Sequence, residues 1–266
     1  GAPGAADDAV PEGTDLVYSV TLTNPSSTPV SYGFTLGGGT AASGDIGTPD
    51  FSDGVILNPD GTITVPAGVT AFTVTVPTTQ DTTDESNETV PLTIGGVTAT
   101  GTIVDDDGAP NIASVEPGAP GAADDAVPEG TDLVYTVTLT NPSATPVTYP
   151  FTLGGGSAAP GDIGTPVFSD GVVLNPDSTI TVPAGVTSFT VTVPTTQDTT
   201  DEANETVPLT IGGVTATGTI VDDDGAPTIA SVEPGAPGAA DDAVPEGTDL
   251  VYTVTLTNPS ATPVTY

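Results

Sequence analysis

Repetition constrains this chain more than any other feature. Gly-Ala-Pro-Gly-Ala-Ala-Asp-Asp begins at Gly1, at Gly118 and at Gly235, a period of 117 residues. Residues 1–117 and 118–234 differ at 12 positions without insertion or deletion, and 235–266 repeat 118–149 unchanged. Solenoid units run to roughly 20–50 residues, so a period this long predicts that each copy is a domain with its own core. The third copy stops at Tyr266 inside a hydrophobic run, which reads as a window on a longer tandem array. The segment Asp105-Asp106-Asp107-Gly108-Ala109-Pro110 closes one strand pattern and precedes another. Domains are therefore expected at 1–108 (lacking its first strand), at 109–225 (complete) and at 226–266 (the start of a third repeat).

Within each copy the apolar residues alternate with period two, the mark of half-buried strands. Leu16, Tyr18, Val20 and Leu22 share a face, as do Val30, Tyr32, Phe34 and Leu36. Ile63 and Val65 repeat the pattern, then Phe72, Val74 and Val76, then Val90, Leu92 and Ile94. A last run holds Val97, Ala99, Gly101 and Ile103. Turn formers separate the runs, such as Asn58-Pro59-Asp60-Gly61 and Pro66-Ala67-Gly68. No 3.6-residue periodicity interrupts them. About seven strands in such a length predict an all-β protein of tandem immunoglobulin-like antiparallel β-sandwich domains.

Charge narrows function. The chain has 35 Asp and Glu and no Lys, Arg or His, a net charge of -35. Nothing can neutralise phosphate, which argues against nucleic acid and anionic membrane surfaces as partners. With no His, Cys or Lys there is no Ser-His-Asp triad, thiol nucleophile, Schiff base or ordinary zinc site. No apolar run reaches the roughly 18 residues of a membrane-spanning helix. What remains is oxygen chemistry, suited to hard cations.

The acids are also placed unevenly. With strand A at 111–116, the A–B, C–D and E–F loops and the end of strand G share one pole of the sandwich. In the first copy that pole holds Asp7, Asp8, Glu12, Asp45, Asp81, Asp84, Glu85, Glu88, Asp105, Asp106 and Asp107. In the second it holds Asp124, Asp125, Glu129, Asp162, Asp198, Asp201, Glu202, Glu205, Asp222, Asp223 and Asp224. Asp241, Asp242 and Glu246 begin a third set. Acids that served only solubility would spread over both poles. Converging carboxylates need cations, and Ca2+ accepts about 6–8 oxygens in flexible geometry. Asn87-Glu88-Thr89 fits a glycosylation sequon, but its place in the acidic loop favours a ligand role for Glu88.

Four motifs in order resemble the Calx-beta family: Pro11-Glu12-Gly13; Gly39-Thr40-Ala41 with Gly44-Asp45; Asp81, Glu85 and Glu88; and Ile103-Val104-Asp105-Asp106-Asp107. The resemblance spans each copy and implies a calcium-binding sandwich. The ligands it implies are Glu12, Asp45, Asp81, Glu85, Glu88, Asp105, Asp106 and Asp107. In the second copy they are Glu129, Asp162, Asp198, Glu202, Glu205, Asp222, Asp223 and Asp224. Two departures stand out. Ile46 replaces the Tyr that often follows the Asp, and Gln80 stands where calcium-rich members carry a further acid, which leaves the ion number open. Near-identical tandem copies also resemble the extender regions of large bacterial RTX-type surface adhesins. The expected protein is a non-enzymatic, calcium-rigidified spacer of a secreted bacterial cell-surface adhesin, working in adhesion and biofilm. Its expected partners are neighbouring repeats, with copies of itself as a further possibility. The alternative is a self-assembling extracellular filament or surface layer.

Overall fold

The computed structural model describes residues 8–119, 125–236 and 243–266, and contains only strands and turns among them. By contacts the chain divides into two units. One comprises Gly1–Pro110 with Asn141–Thr145, the other Asn111–Thr140 with Pro146–Tyr266.

In the first unit the strands are β1 (Ala9–Pro11), β2 (Leu16–Thr21), β3 (Val30–Leu36), β4 (Asp50–Phe51), β5 (Ile56–Leu57), β6 (Thr62–Val65), β7 (Ala71–Val76), β8 (Glu88–Ile94) and β9 (Val97–Val104). They form one sheet of order β1-β9-β8-β3-β6-β5 and another of order β2-β7-β4. The alternating apolar residues of both sheets meet in a single core that includes Leu16, Tyr18, Ile63, Phe72, Val74, Val90, Leu92 and Ile103. Each unit is an immunoglobulin-like antiparallel sandwich.

The second unit repeats this with β11 (Ala126–Pro128), β12 (Leu133–Leu139), β13 (Val147–Leu153), β14 (Val167–Phe168), β15 (Val173–Leu174), β16 (Thr179–Val182), β17 (Ser188–Val193), β18 (Glu205–Ile211) and β19 (Val214–Val221). It also has β10 (Ile112–Pro117), which joins the smaller sheet in the order β10-β12-β17-β14. Ile112 and Val115 of β10 lie within the core at 7% and 6% exposure. Burying an Ile or Val side chain contributes about 1.5–3 kcal/mol. Beyond it come β20 (Ile229–Pro234) and β21 (Tyr252–Leu256), paired with each other.

Sequence periodicity missed β1 and β11. Three residues, Ala-Val-Pro, are too few to show alternation. Each nevertheless makes a parallel pair far along the chain, β1 with β9 and β11 with β19. The expected A strand at 111–116 is found as β10, and β11 lies in the expected A–B loop and joins the other sheet. The short strands β4, β5, β14 and β15 escaped notice for the same reason.

Tyr135 is fully buried, its hydroxyl donating to the Val207 carbonyl and accepting the Gly218 N–H. Burial pushes its pKa up to about 12. Gly218 permits this crossing, since a Cβ there would lie 2.7 Å from the nearer Leu133 methyl and 3.0 Å from the Tyr135 oxygen. Gly218→Ala should overpack the core and cost about 1–3 kcal/mol, read as a lower urea midpoint at unchanged slope.

Candidate metal centre

Four segments build the acidic pole of the first unit. The parallel pairing of β1 with β9 sets Pro11 opposite Val104, and the Glu12 N–H donates to the Val104 carbonyl at 3.2 Å. Glu12 is thereby held beside the end of β9, where Asp105, Asp106 and Asp107 follow. The loop between β7 and β8 brings Asp81, Glu85 and Glu88. Asp81 closes a tight turn by accepting the Thr83 N–H at 2.6 Å. Its own N–H donates to the Glu12 carboxylate.

Asp45 arrives from the loop between β3 and β4. Its carboxylate accepts the Ala42 N–H at 2.6 Å and its carbonyl accepts the Thr79 N–H at 2.9 Å. The preceding Gly39-Thr40 is clamped onto β8. The Thr40 N–H donates to Thr89 Oγ1 at 3.0 Å, and the Thr89 N–H donates to Thr40 Oγ1 at 2.8 Å. A Cβ on Gly39 would lie 2.1 Å from the Thr89 carbonyl oxygen, so only glycine allows this approach.

The structure therefore brings Glu12, Asp45, Asp81, Glu85, Glu88, Asp105 and Asp107 within electrostatic reach of one another. Glu12, Asp81 and Asp107 each offer a carboxylate oxygen within 4.8 Å of the others, and in the second unit Glu129, Asp222 and Asp224 do so. Asp162, Asp198, Glu202, Glu205 and Asp223 surround that second cluster. Asp106 and Asp223 are turned to a neighbour, each accepting from a glutamine amide (Gln80 or Gln197) at 2.9 Å. Asp7, Asp124, Asp241 and Asp242 lie outside the described residues.

Some contributors had no signal in the residue pattern. Asn87 Oδ1 accepts the Asp105 N–H at 3.2 Å, and Asn204 does the same for Asp222 at 3.3 Å. Gln80, which stood out only as a departure from an acid, supplies an amide donor. Asp84 still acts electrostatically on Asp107 but is held by other partners. Its carboxylate accepts from the Ser143 hydroxyl at 2.9 Å, its N–H donates to the Pro142 carbonyl, and its carbonyl accepts from Ala144. Ser143 belongs to the same unit and is 3% exposed. The second unit repeats the arrangement between Asp201 and Ser260 at 2.8 Å, with Asn258 donating to the Gly225 carbonyl at 2.8 Å.

The electrostatics are unbalanced. Two unit charges 4 Å apart repel by about 4 kcal/mol at an effective dielectric near 20, and no cationic side chain exists to offset this. Glu12, Glu85 and Asp107 are each shifted up from the ordinary carboxylate range, by desolvation first and then by the surrounding carboxylates. Desolvation and a hydrogen bond shared with Asp45 push Glu88 up to about 7; Glu205 beside Asp162 is pushed to the same value. Among the described residues, six oxygens in particular are shut off from solvent without any hydrogen-bond partner. They are Glu12 Oε2, Asp105 Oδ1 and Asp107 Oδ2, with Glu129 Oε2, Asp222 Oδ1 and Asp224 Oδ2. Buried acceptors are costly to leave unpaired, and an all-oxygen donor set of this kind fits a hard divalent cation.

No family model and no curated protein matches the sequence. Among solved structures the chain is similar to CBD12 from CALX1.2, at 14% identity and TM-score 0.30 over 76% of each chain. It is also similar to the calcium binding domain CBD12 of CALX1.1, at 16% identity and TM-score 0.29 over 81% of this chain and 79% of that one. A titin structure, Titin-A168169, matches at 14% identity and TM-score 0.30 over 82% and 94%.

Proton linkage follows from the raised carboxyls. Glu88 and Glu205 hold protons in the metal-free fold that the unfolded chain, at its ordinary value of 4.5, releases. The stabilisation they provide is complete below about 4.5 and is lost as pH rises through about 7. With a chelator present, the chain should melt at a higher temperature at about pH 5.5 than at about pH 8. Calorimetry giving the same melting temperature at both values would contradict this.

Proposed function

We propose that the chain is a Calx-beta-like calcium-binding array that serves as a mechanical spacer in a secreted bacterial surface adhesin. The observation that carries this reading is the set of buried, partnerless carboxylate oxygens, three at the acidic pole of each unit. Glu12, Asp81, Asp105 and Asp107 would hold an ion in the first unit, with Asp45, Glu85 and Glu88 beside them. Glu129, Asp198, Asp222 and Asp224 would do so in the second, with Asp162, Glu202 and Glu205 nearby. Calcium supplies there the positive charge that the chain lacks.

In sequence, the acidic segment that closes the first unit comes just before β10. Asp105, Asp106 and Asp107 run through Gly108-Ala109-Pro110 into β10, and Pro110 restricts that connection. Within the second unit, Gly225, directly after Asp224, accepts from Asn258 of the next repeat, and Ser260 of that repeat donates to Asp201 in the loop between β17 and β18. An ion at that segment would stiffen the joint. Extracellular calcium modules bind with dissociation constants of about 10⁻⁴–10⁻³ M, so the array would be rigid outside the cell and loose at cytosolic calcium. A chain built of equivalent copies suits a spacer.

Titration calorimetry of the whole chain should show calcium uptake at both units. Asp222→Asn combined with Asp224→Asn should remove the second unit's share and leave the first. Calcium at about a hundred times its dissociation constant adds about 2.7 kcal/mol to the bound unit. EGTA should accordingly lower the melting temperature and reduce the radius of gyration in X-ray scattering. A chain indifferent to calcium in both measurements rules the spacer mechanism out.

A further inference from the structure

We propose that the loop Asn141–Thr145 is a positioning part of the first unit's metal site, so that cation uptake and the seating of this loop strengthen each other. The inference rests on calcium being the ion held there. By contacts the loop groups with the first unit, although its residues belong to the second repeat. It runs beside Asp84 in a parallel bridge between Asp84 and Ser143. The Asp84 N–H donates to the Pro142 carbonyl at 3.0 Å, and the Ala144 N–H donates to the Asp84 carbonyl at 2.9 Å. The Ser143 hydroxyl donates to the Asp84 carboxylate at 2.9 Å, and Asn141 Nδ2 donates to the Gly108 carbonyl at 2.9 Å. Among the described residues Ser143 is the one buried polar side chain. The second unit repeats these contacts, with Asp201 held by Pro259, Ser260 and Ala261 and Gly225 by Asn258.

Every one of these contacts falls beside a ligand. Asp84 stands between Asp81 and Glu85 in the loop from β7 to β8, and Gly108 directly follows Asp107. Asp81 accepts from the Thr83 N–H, so the turn that aims it runs straight into the residue held by the bridge. Tying both main-chain groups of Asp84 fixes the peptide units on either side of it. The bonds from Ser143 and Asn141 therefore brace segment 81–85 against segment 105–108, alongside those from Gln80 to Asp106 and between Asn87 and Asp105. Of the three residues whose oxygens lie within 4.8 Å of one another, Glu12, Asp81 and Asp107, two stand on the braced segments. Partners that orient metal ligands in this way typically cost about 10–100-fold in metal affinity when lost. The loop is also preformed. Asn141 Nδ2 donates to the Pro142 carbonyl at 3.1 Å and the Thr145 N–H to Ser143 Oγ at 3.3 Å, and Asn24 and Thr28 make the same two bonds at 3.2 Å one repeat earlier. Seating it thus orders little new chain. Coupling of this kind is reciprocal: an ion that draws Asp81 and Asp107 together also steadies the seat of the loop.

Titration calorimetry of the whole chain carrying Asp222→Asn and Asp224→Asn reads calcium uptake at the first unit alone. In that chain Ser143→Ala should raise the calcium dissociation constant about 10–100-fold. Ser26→Ala, the same change one repeat earlier, should leave it as it was. Hydrogen exchange of the unsubstituted chain reads the coupling from the other side. Saturating calcium should slow the Asp84 and Ala144 amides about 5–150-fold relative to EGTA. Equal calcium affinity with and without the Ser143 hydroxyl, even at a lowered melting temperature, overturns the inference while leaving calcium binding in place. So does exchange of the two amides that calcium does not alter. A parent chain that takes up no calcium overturns both this inference and the calcium-binding function on which it rests.

Discussion

Mutual repulsion of carboxylates without a counter-charge of the chain's own is the constraint on which this structure depends. A sandwich of two sheets is held by its apolar core, and that core is indifferent to the charges at its end. The loops at the acidic pole are different. They are short of apolar contacts, and their shape comes in part from backbone N–H groups that donate to the carboxylates themselves, Thr83 to Asp81 and Ala42 to Asp45. These bonds preorganise oxygens that repel one another. A site so arranged stores unfavourable electrostatic energy in the metal-free state and releases it when a cation or a proton enters.

The scaffold meets this constraint with small devices. A parallel strand of three residues carries Glu12 to the end of β9, and an amide from Gln80 occupies Asp106. A glycine clamped on β8 sets the loop that presents Asp45. A buried serine donates to Asp84 at the margin of the cluster. Each device recurs in the second unit with nearly the same distances, as the conserved spacing of 117 residues requires. The cluster is therefore a property of the repeat, and any mechanical effect of filling it is multiplied along an array.

Strand pairing carries the same logic. In the second unit β10 covers one flank of the core, and its Ile112 and Val115 are as well buried as the strands around them. Identical residues in β20 are exposed because residues 235–266 correspond only to 118–149, and counterparts of β17 to β19 fall outside the sequence. Burial here belongs to the arrangement of neighbours, since the sequence of the two strands is the same.

Much of the fold was legible from residue order. Period-two alternation marked the long strands, the turn formers separated them, and the exact recurrence at Gly118 and Gly235 established repeated units before any strand was assigned. The charge composition alone excluded basic and thiol chemistry and left oxygen ligands. The Ala-Val-Pro strands were hidden because three residues carry no periodicity, and their parallel partners lie some 90 residues away. The roles of Gln80, Asn87 and Ser143 were hidden too, because a neutral amide or hydroxyl in a turn looks the same whether or not it serves a carboxylate. Sequence by itself determined which atoms were available: carboxylates in number, and no cation to meet them. Only the tertiary structure decided which oxygens face one another in the dry, since convergence depends on strand register and loop closure between residues distant in the chain.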